Sequence, residues 1–558
     1  MLKADSDQDI AVLGDAPMSA LSSDSPFSAS PASARLSIPS SHTSDEQNGL
    51  VDSEPNHNDD FARSGSETLH ADSLEGPSVD TCDEGDSETD SHHKIHLSAI
   101  EHCMPRSYIR ICLAYRMPDP SMLPDIVRRL NNFVRRTVDA KPYLSGYIMP
   151  AKSKRVGAVE VRFSDRDFLE YPAVSVRHLT HHEVPFTYDQ LDQAGLPPSV
   201  MKPDLVSALA ESADEEAAPV FRMQANVIDG GIIVSLYLHH CVSDGTGAGL
   251  LISGSILTDE GAFDRYLGDR EPTSSLSVRL REFANLKSIH RKQLSFSFPN
   301  QINNRSLKCK KVKAHPEEPE PIRVQGRGCV VAFSLEKLTE LKTLLETQAD
   351  SSFITQNDAL QALLWHSMVK ARVPSLENKE AIAISKLLIP INIRGKLENP
   401  LPESYFGTAI DFATAQLSID HLTNTSPPAM IQTAIEIRRA INAVDEPYIR
   451  QAIALARYPE STNDVRDLQA SNMDRAYGAD MYVTSWEKLD CYEATFDLGL
   501  GRPDWVRKPW SKDPGSCIVL PFDGRKDYLE VVIQMTVPDM DRLLEDPGFM
   551  DYVVRVID

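Results

Sequence analysis

The sequence predicts an α/β protein of two domains, preceded by a disordered extension. Three observations carry this expectation. The chain has 558 residues, enough for two or three cores of ordinary size and too many for one. Strand-like and helix-like patterns alternate in both halves of the region after residue 94. Between about residues 290 and 326 the chain is basic, then proline-rich and acidic, with little periodicity, which reads as a long connection. The expected layout is an extension over 1–94, a first domain over 95–289, a crossover linker over 290–326 and a second domain over 327–558.

The extension is set apart by its charge. Of the formal net charge of −24, the first 94 residues carry −16, from 20 acidic and four basic side chains, which leaves −8 for the remainder. Rich in Ser, Asp, Glu, Pro and Gly and poor in aromatics, it holds too little apolar surface to offset the entropy of ordering its backbone. The stretch from Asp80 to Asp90 reads equally as a partner-binding tail or as a solvated linker. Neither part of the chain supplies the basic stripe that a phosphate backbone requires, so nucleic acid is not expected as a partner.

The eight cysteines are irregularly spaced, with no CxxC pair, as expected of reduced thiols in a cytoplasmic protein. No leader pattern opens the sequence and no apolar run reaches the length of a membrane span, so neither secretion nor membrane insertion is expected.

The elements follow in order. The alternation of Tyr108–Tyr115 suits a half-buried strand. Leu123, Ile126, Val127, Leu130 and Val134 recur at helical spacing, predicting a helix over about 122–138 that the segment from Lys141 to Gly146 terminates. Phe221–Ile228 and Ile232–His240 flank Asp229-Gly230-Gly231, residues that tolerate the positive φ of a tight turn, and predict a hairpin. GLLISGSIL, from Gly249, fits the start of a buried helix. In the second half, a strand over Cys329–Phe333 leads to a helix over Leu335–Leu345 and another around Asn357–Lys370. No short-period repeat is present.

The second hairpin strand runs into His239-His240-Cys-Val-Ser243-Asp244-Gly245. A histidine at the end of an apolar strand, with a carboxylate four residues on, places an imidazole and an acid at a strand-to-helix corner, where α/β proteins expose reacting groups. With an ordinary pKa near 6.5, an imidazole is mostly free base at neutral pH and can take a proton from an attacking alcohol or amine. His240 is the candidate general base. Asp244 fits better as an anchor of the loop through an arginine than as a proton carrier. An isolated HxxxD is more often an ordinary pair of residues, so its company must decide. Gly245, Gly247 and Gly249 read as turn and close-packing glycines, since neither GK[ST] nor GxGxxG is present. Ser243 lacks the GxSxG flanks of a nucleophile, and no metal site is expected, because His92, His93, His96 and His178, His181, His182 lack accompanying ligands.

HHCVSDG resembles the HHxxxDG motif of the BAHD acyltransferase family, including its fungal branch of trichothecene acetyltransferases. Phe496-Asp497-Leu498-Gly499-Leu500-Gly501 follows about 250 residues later, in the order of that family's second signature, DFGWG. LSAIEHCMP, DAKPYLSGYI, ITQNDALQALLWHSMVKAR, Asn392-Ile393-Arg394, Thr484-Ser485-Trp486 and Ile518–Pro521 agree in order, so the resemblance spans roughly 95–558. It implies two similar chloramphenicol acetyltransferase-like α/β domains, with mixed sheets flanked by helices and a reaction channel between them, and a hydroxylated small-molecule acceptor meeting acyl-CoA, acetyl-CoA by default, as co-substrate with no bound cofactor. His240 would deprotonate the acceptor as it attacks the thioester, without a covalent acyl-enzyme. Asp244 would orient the loop with Arg394 as its partner, and Thr484 and Trp486 would stabilise the oxyanion or line the acceptor pocket. Asp497, Gly499 and Gly501 would hold a loop, although Leu498 and Leu500 depart from the aromatics of DFGWG. A monomer is the family expectation.

Two other readings stand beside this one. A condensation-type domain taking a carrier-protein thioester shares HHxxxDG, but not the DLGLG segment. A non-catalytic member of the fold would have no need to keep His240 together with Asp244.

Overall fold

The computed structural model describes residues 92–102, 104–152, 157–207, 209, 216–257, 296–297, 325–348, 353–376, 383–398, 400–457, 469–470, 478–494, 496–510 and 513–558. The expected extension up to residue 91 and nearly all of the 290–326 linker lie outside the described residues, as do Cys82, Cys103 and Cys309.

In chain order the first strands are β1 (His92–His96), β2 (Tyr108–Arg116), β3 (Tyr147–Pro150), β4 (Val159–Ser164), β5 (Ser175–His178), β6 (Ala218–Pro219), β7 (Phe221–Ile228) and β8 (Gly231–His239). They are followed by β9 (Phe296–Ser297), β10 (Gly326–Ser334), β11 (Ile384–Asn392), β12 (Ile410–Ser418), β13 (Gln469–Ala470) and β14 (Met481–Ser485). The last four are β15 (Trp505–Arg507), β16 (Ser516–Val519), β17 (Tyr528–Thr536) and β18 (Val553–Ile557).

Two mixed sheets dominate. The first has the order β15-β2-β8-β7-β5, with only β5 and β7 parallel. The second has the order β12-β11-β14-β16-β17-β10-β18, in which β14 runs parallel to both β11 and β16. A smaller antiparallel sheet, β1-β4-β3-β6, accompanies the first, and β9 pairs with β13 in a two-residue ladder. The expected hairpin is β7–β8, closed at Asp229-Gly230, where Gly230 takes φ 78°.

Several sequence expectations change in detail. Strand β1 begins at His92, inside the expected extension, so the folded part starts ahead of the expected boundary at 95, and β1 pairs with β4 from its first residue. Strand β2 is not half-buried: every residue from Tyr108 to Tyr115 is buried. It is an interior strand with both faces covered. Ile109, Ile111 and Leu113 share a core with Ile126, Leu130 and Phe133 of the helix Leu123–Ala140. Cys112 and Ala114 pack on the opposite side with Tyr188, Leu191, Leu196 and Trp505. Alternation therefore separated two cores rather than core from water.

Strand β15 is the larger surprise, because it comes from the second half of the chain yet pairs with β2 in the first sheet. Its Arg507 is buried. The guanidinium makes two hydrogen bonds to Glu530 of β17, at 2.9 and 3.0 Å, and donates to the carbonyls of Gly195 at 2.6 Å and Leu196 at 3.2 Å. One side chain thus ties the inserted strand to both sheets. In the second half, the helix Gln356–Arg372 is capped by a reciprocal Thr355/Asp358 box and is buried nearly all round, as a central helix between other helices and a sheet should be. The five described cysteines are free and buried, and burial is the main cause that pushes their thiols up, Cys241 to about 11 and Cys112 to about 12.

Candidate active site

The HHCVSDG segment forms the corner between β8 and the helix Gly245–Ile252. His239, the last residue of β8, is fully buried against the edge of Tyr108, and its Nδ1 accepts the Cys241 N–H at 3.1 Å. That bond places the proton of the neutral ring on Nε2. Burial lowers its pKa to about 3, with Arg106 and His240 contributing. His239 is a structural histidine of the core.

His240 turns the other way. Its backbone is held at both ends, the N–H donating to Ser107 at 2.9 Å and the carbonyl accepting from Thr408 Oγ1 at 3.0 Å. The half-buried imidazole lies in the wall of a cavity of about 760 Å³. Burial lowers its pKa to about 4 while the Asp244 charge opposes the shift, so the ring is neutral at physiological pH.

Asp244 does not face the cavity. It is fully buried and caps the helix that follows, accepting the Gly247 N–H at 3.0 Å. Its oxygens also receive Arg394 Nη1 at 2.9 Å, Arg394 Nη2 at 3.0 Å and the Ala409 N–H at 2.8 Å. The pairing expected from the sequence is therefore present, and it is two-pronged. Arg394 in turn donates to the carbonyls of Tyr405 at 3.1 Å and Gly407 at 2.7 Å and to Asn392 Oδ1 at 3.3 Å, which satisfies the remaining donors of a buried guanidinium. Ser243 Oγ donates to the Phe406 carbonyl. Residues 392–409 of the second half thus grip the histidine loop of the first. Gly247 is needed for this closeness: a Cβ there would lie 1.9 Å from Ser243 Oγ and 2.3 Å from the Phe406 carbonyl oxygen. Of the three glycines only Gly247 is set by close packing, since a Cβ at Gly245 or Gly249 would meet nothing nearer than 3.7 or 3.5 Å.

The opposite wall comes from the second sheet. Tyr482 and Thr484 of β14 and Ser516 and Ile518 of β16 face the cavity, while Met481, Val483, Cys517 and Val519 alternate into the core. Trp486 follows β14, half-buried, with its indole 3.7 Å from where a Cβ of Gly245 would stand. It serves as a core-edge aromatic and as cavity lining together. Thr484 is held by its backbone in the β14–β16 ladder, and its side chain lines the cavity.

The structure thus brings His240, Gly245, Thr484 and Trp486 into one cavity, with Asp244 and Arg394 buried behind it. Asp497, Gly499 and Gly501 do not line that cavity. Asp497, at φ 49°, accepts Arg129 Nη1 on both its carbonyl (2.9 Å) and carboxylate (2.8 Å), and Phe496 packs edge-on against Phe133. Gly499 and Gly501 have φ 75° and 79° with open space where a Cβ would project, so glycine is set there by backbone conformation and not by crowding. This loop leads into β15. Sequence reasoning left several cavity residues unassigned, among them Arg110, Thr246, Asn392, Lys508 and Trp510. For Asn392 a signal existed in its place two residues before Arg394.

Fold and motif geometry together define an acyltransferase of the BAHD type. The Transferase family model matches residues 188–550, and the chain belongs to that family. The model of the trichothecene 3-O-acetyltransferase-like N-terminal domain matches residues 107–255. Among individual proteins, the chain is similar to an O-acetyltransferase of Penicillium ochrochloron, 24% identical over 82% of this chain and 96% of the relative. It is also similar to the trichothecene 3-O-acetyltransferase TRI101 of Fusarium sporotrichioides, 24% identical over 80% of this chain and 93% of the relative. In fold it resembles TRI101 of F. graminearum complexed with coenzyme A and deoxynivalenol, with TM-score 0.64, 20% identity, and coverage of 83% of this chain and 100% of the other. No helix among the described residues is long and apolar enough to cross a membrane.

Proposed function

We propose that this protein transfers an acyl group, acetyl by default, from CoA to a hydroxyl of a small secondary metabolite, with His240 as general base. The observation that carries the reading is a neutral imidazole set in the wall of a cavity between two sheets, on a loop held by a buried ion pair. His240 Nδ1 is buried without a hydrogen-bond partner, which leaves Nε2 as the nitrogen that meets a substrate. The acceptor oxygen attacks the thioester carbonyl and loses its proton to Nε2 as the C–O bond forms. The tetrahedral oxyanion then collapses, and the departing CoA sulfur takes the proton from the imidazolium, giving ester and free CoA. A thioester is already activated, so holding both substrates in one cavity supplies the main remaining requirement.

In this reading Asp244 and Arg394 position the loop and take no proton, and Thr484 and Trp486 serve the oxyanion or the acceptor wall. Asp497, Gly499 and Gly501 keep the shape of the loop that carries β15. The relatives named for O-acetyl transfer, and solved structures complexed with coenzyme A, support the donor class, whereas the carrier-protein alternative gains nothing from them. A cytoplasmic monomer, with catalytic domains over 95–289, extended by β1 to His92, and over 327–558, joined by 290–326, completes the proposal.

The test uses the purified protein with acetyl-CoA and a panel of hydroxylated terpenoids and polyketides, beside His240→Ala. CoA release is followed by thiol titration and product by mass spectrometry. Acceptor-dependent release that the substitution abolishes supports the proposal, and equal product from both proteins removes His240 as the base.

A further inference from the structure

Strand β11 ends at Asn392, an exposed residue whose side chain lines the same cavity as His240. Its orientation is chemically forced. The Arg394 backbone N–H and Nη1 both reach Asn392 Oδ1, at 3.0 and 3.3 Å, and both can only donate. The amide oxygen must therefore face the arginine, which turns the NH₂ group the other way. Nδ2 then donates to Thr246 Oγ1 at 3.3 Å. A carboxamide has two N–H bonds, and only one is taken up by this contact. The threonine hydroxyl, having accepted, keeps its own hydrogen to give. Thr246 also lines the cavity, in the first turn of the helix that Asp244 caps.

The arginine does more than fix a rotamer. A carboxamide whose oxygen accepts from a cation is polarised, and its N–H becomes a stronger donor. Because Asp244 anchors Arg394 from behind, the amide is set before any substrate arrives, and no reorganisation is needed when charge develops.

We infer that Asn392 is a further catalytic residue: its second Nδ2–H donates to the thioester carbonyl oxygen as that oxygen becomes the oxyanion, with Thr246 holding the plane of the amide. This rests on the acyl-CoA reading above. The roles proposed for Thr484 and Trp486 remain, since an oxyanion accepts more than one donor.

Asn392→Asp separates this role from a structural one. The carboxylate still accepts from Arg394, so the loop keeps its clamp, but no N–H remains. The expected result is a thermal midpoint at or above wild type, a kcat lowered on the order of 10²–10³-fold, and a KM for acetyl-CoA within about threefold of wild type. Thr246→Val, which loosens the amide, should lower kcat by about tenfold. A second measurement needs no acceptor. Calorimetry compares S-ethyl-CoA with a CoA analogue in which a tetrahedral, anionic methylphosphonyl group replaces the acyl group. Wild type should prefer the anionic analogue, and Asn392→Asp should lose the preference. A wild-type kcat, a change in KM alone, or an undiminished preference in Asn392→Asp would overturn the inference and leave the acyl-CoA reading standing. Failure of wild type to bind either analogue would sink both.

Discussion

Asp244 and Arg394 should behave as a single energetic unit, and a double-mutant cycle tests this. The carboxylate accepts four hydrogen bonds, two from the guanidinium and one each from the Gly247 and Ala409 N–H groups. Asp244→Ala leaves a buried guanidinium without its counter-charge, which costs about 3–5 kcal/mol. The lost helix cap contributes about 1 kcal/mol, and the Ala409 N–H, left unpaired, about 1–3 kcal/mol. These overlap, so the expected destabilisation is about 4–6 kcal/mol. Arg394→Met leaves Asp244 with its two backbone donors and should cost about 3–5 kcal/mol. In the double variant neither charge remains to be desolvated, and its cost should fall short of the sum by about 2–3 kcal/mol. Urea unfolding followed by circular dichroism supplies the three differences. Costs that simply add would mean that the pair is not coupled, and the account of Asp244 as a clamp would be wrong.

Three further outcomes are expected. In the pH profile of kcat/KM, the limb assigned to His240 should lie well below the ordinary histidine value, near the 4 to which burial brings the free ring. Activity should then rise with pH toward a plateau at neutrality, and a midpoint near 6.5 would refute a desolvated base. Gly247→Ala should abolish activity and soluble expression, and adding Ser243→Ala should not restore them, because the Phe406 carbonyl oxygen still lies 2.3 Å from the new Cβ. Rescue by the second change would show that only the serine was in the way. Asp411 is buried with Oδ2 unpartnered, and burial raises its pKa from 3.8 to about 7. A raised carboxyl favours the folded state below its unfolded pKa, and that contribution is lost as pH rises through the folded value. Asp411→Asn should therefore stabilise the protein at pH 8, by as much as about 4 kcal/mol at 1.36 kcal/mol per unit, and change little near pH 4. Melting curves at the two pH values decide it.

Local patterns were legible where one chain segment determines its own structure. The helix Leu123–Ala140 follows from its apolar stripe, and the β7–β8 hairpin from Asp229-Gly230. The histidine corner was equally plain, because an apolar strand that ends in HHCVSDG can place its imidazole only at the strand's end. The Asp244–Arg394 pair lies 150 residues apart in sequence, and only the family resemblance suggested it. What stayed hidden depends on partners remote in sequence. Alternation in β2 cannot say whether the second face meets water or another core, and three residues over Trp505–Arg507 are too few to announce which sheet they join. Residues such as Lys508 and Trp510 enter the cavity through that same insertion. Asn392 was visible only as part of a motif, since its role depends on which way an amide is turned, and that follows from Arg394.

The insertion of β15 beside β2 has a consequence for how the protein is made. As the chain leaves the ribosome, the first sheet emerges early but lacks its terminal strand, and the backbone of β2 remains an open edge until synthesis is nearly complete. An unpaired edge of this kind is a template for wrong partners. The two halves are thus mutually dependent in birth as well as in chemistry, and each produced alone should be a client for chaperones rather than a working domain.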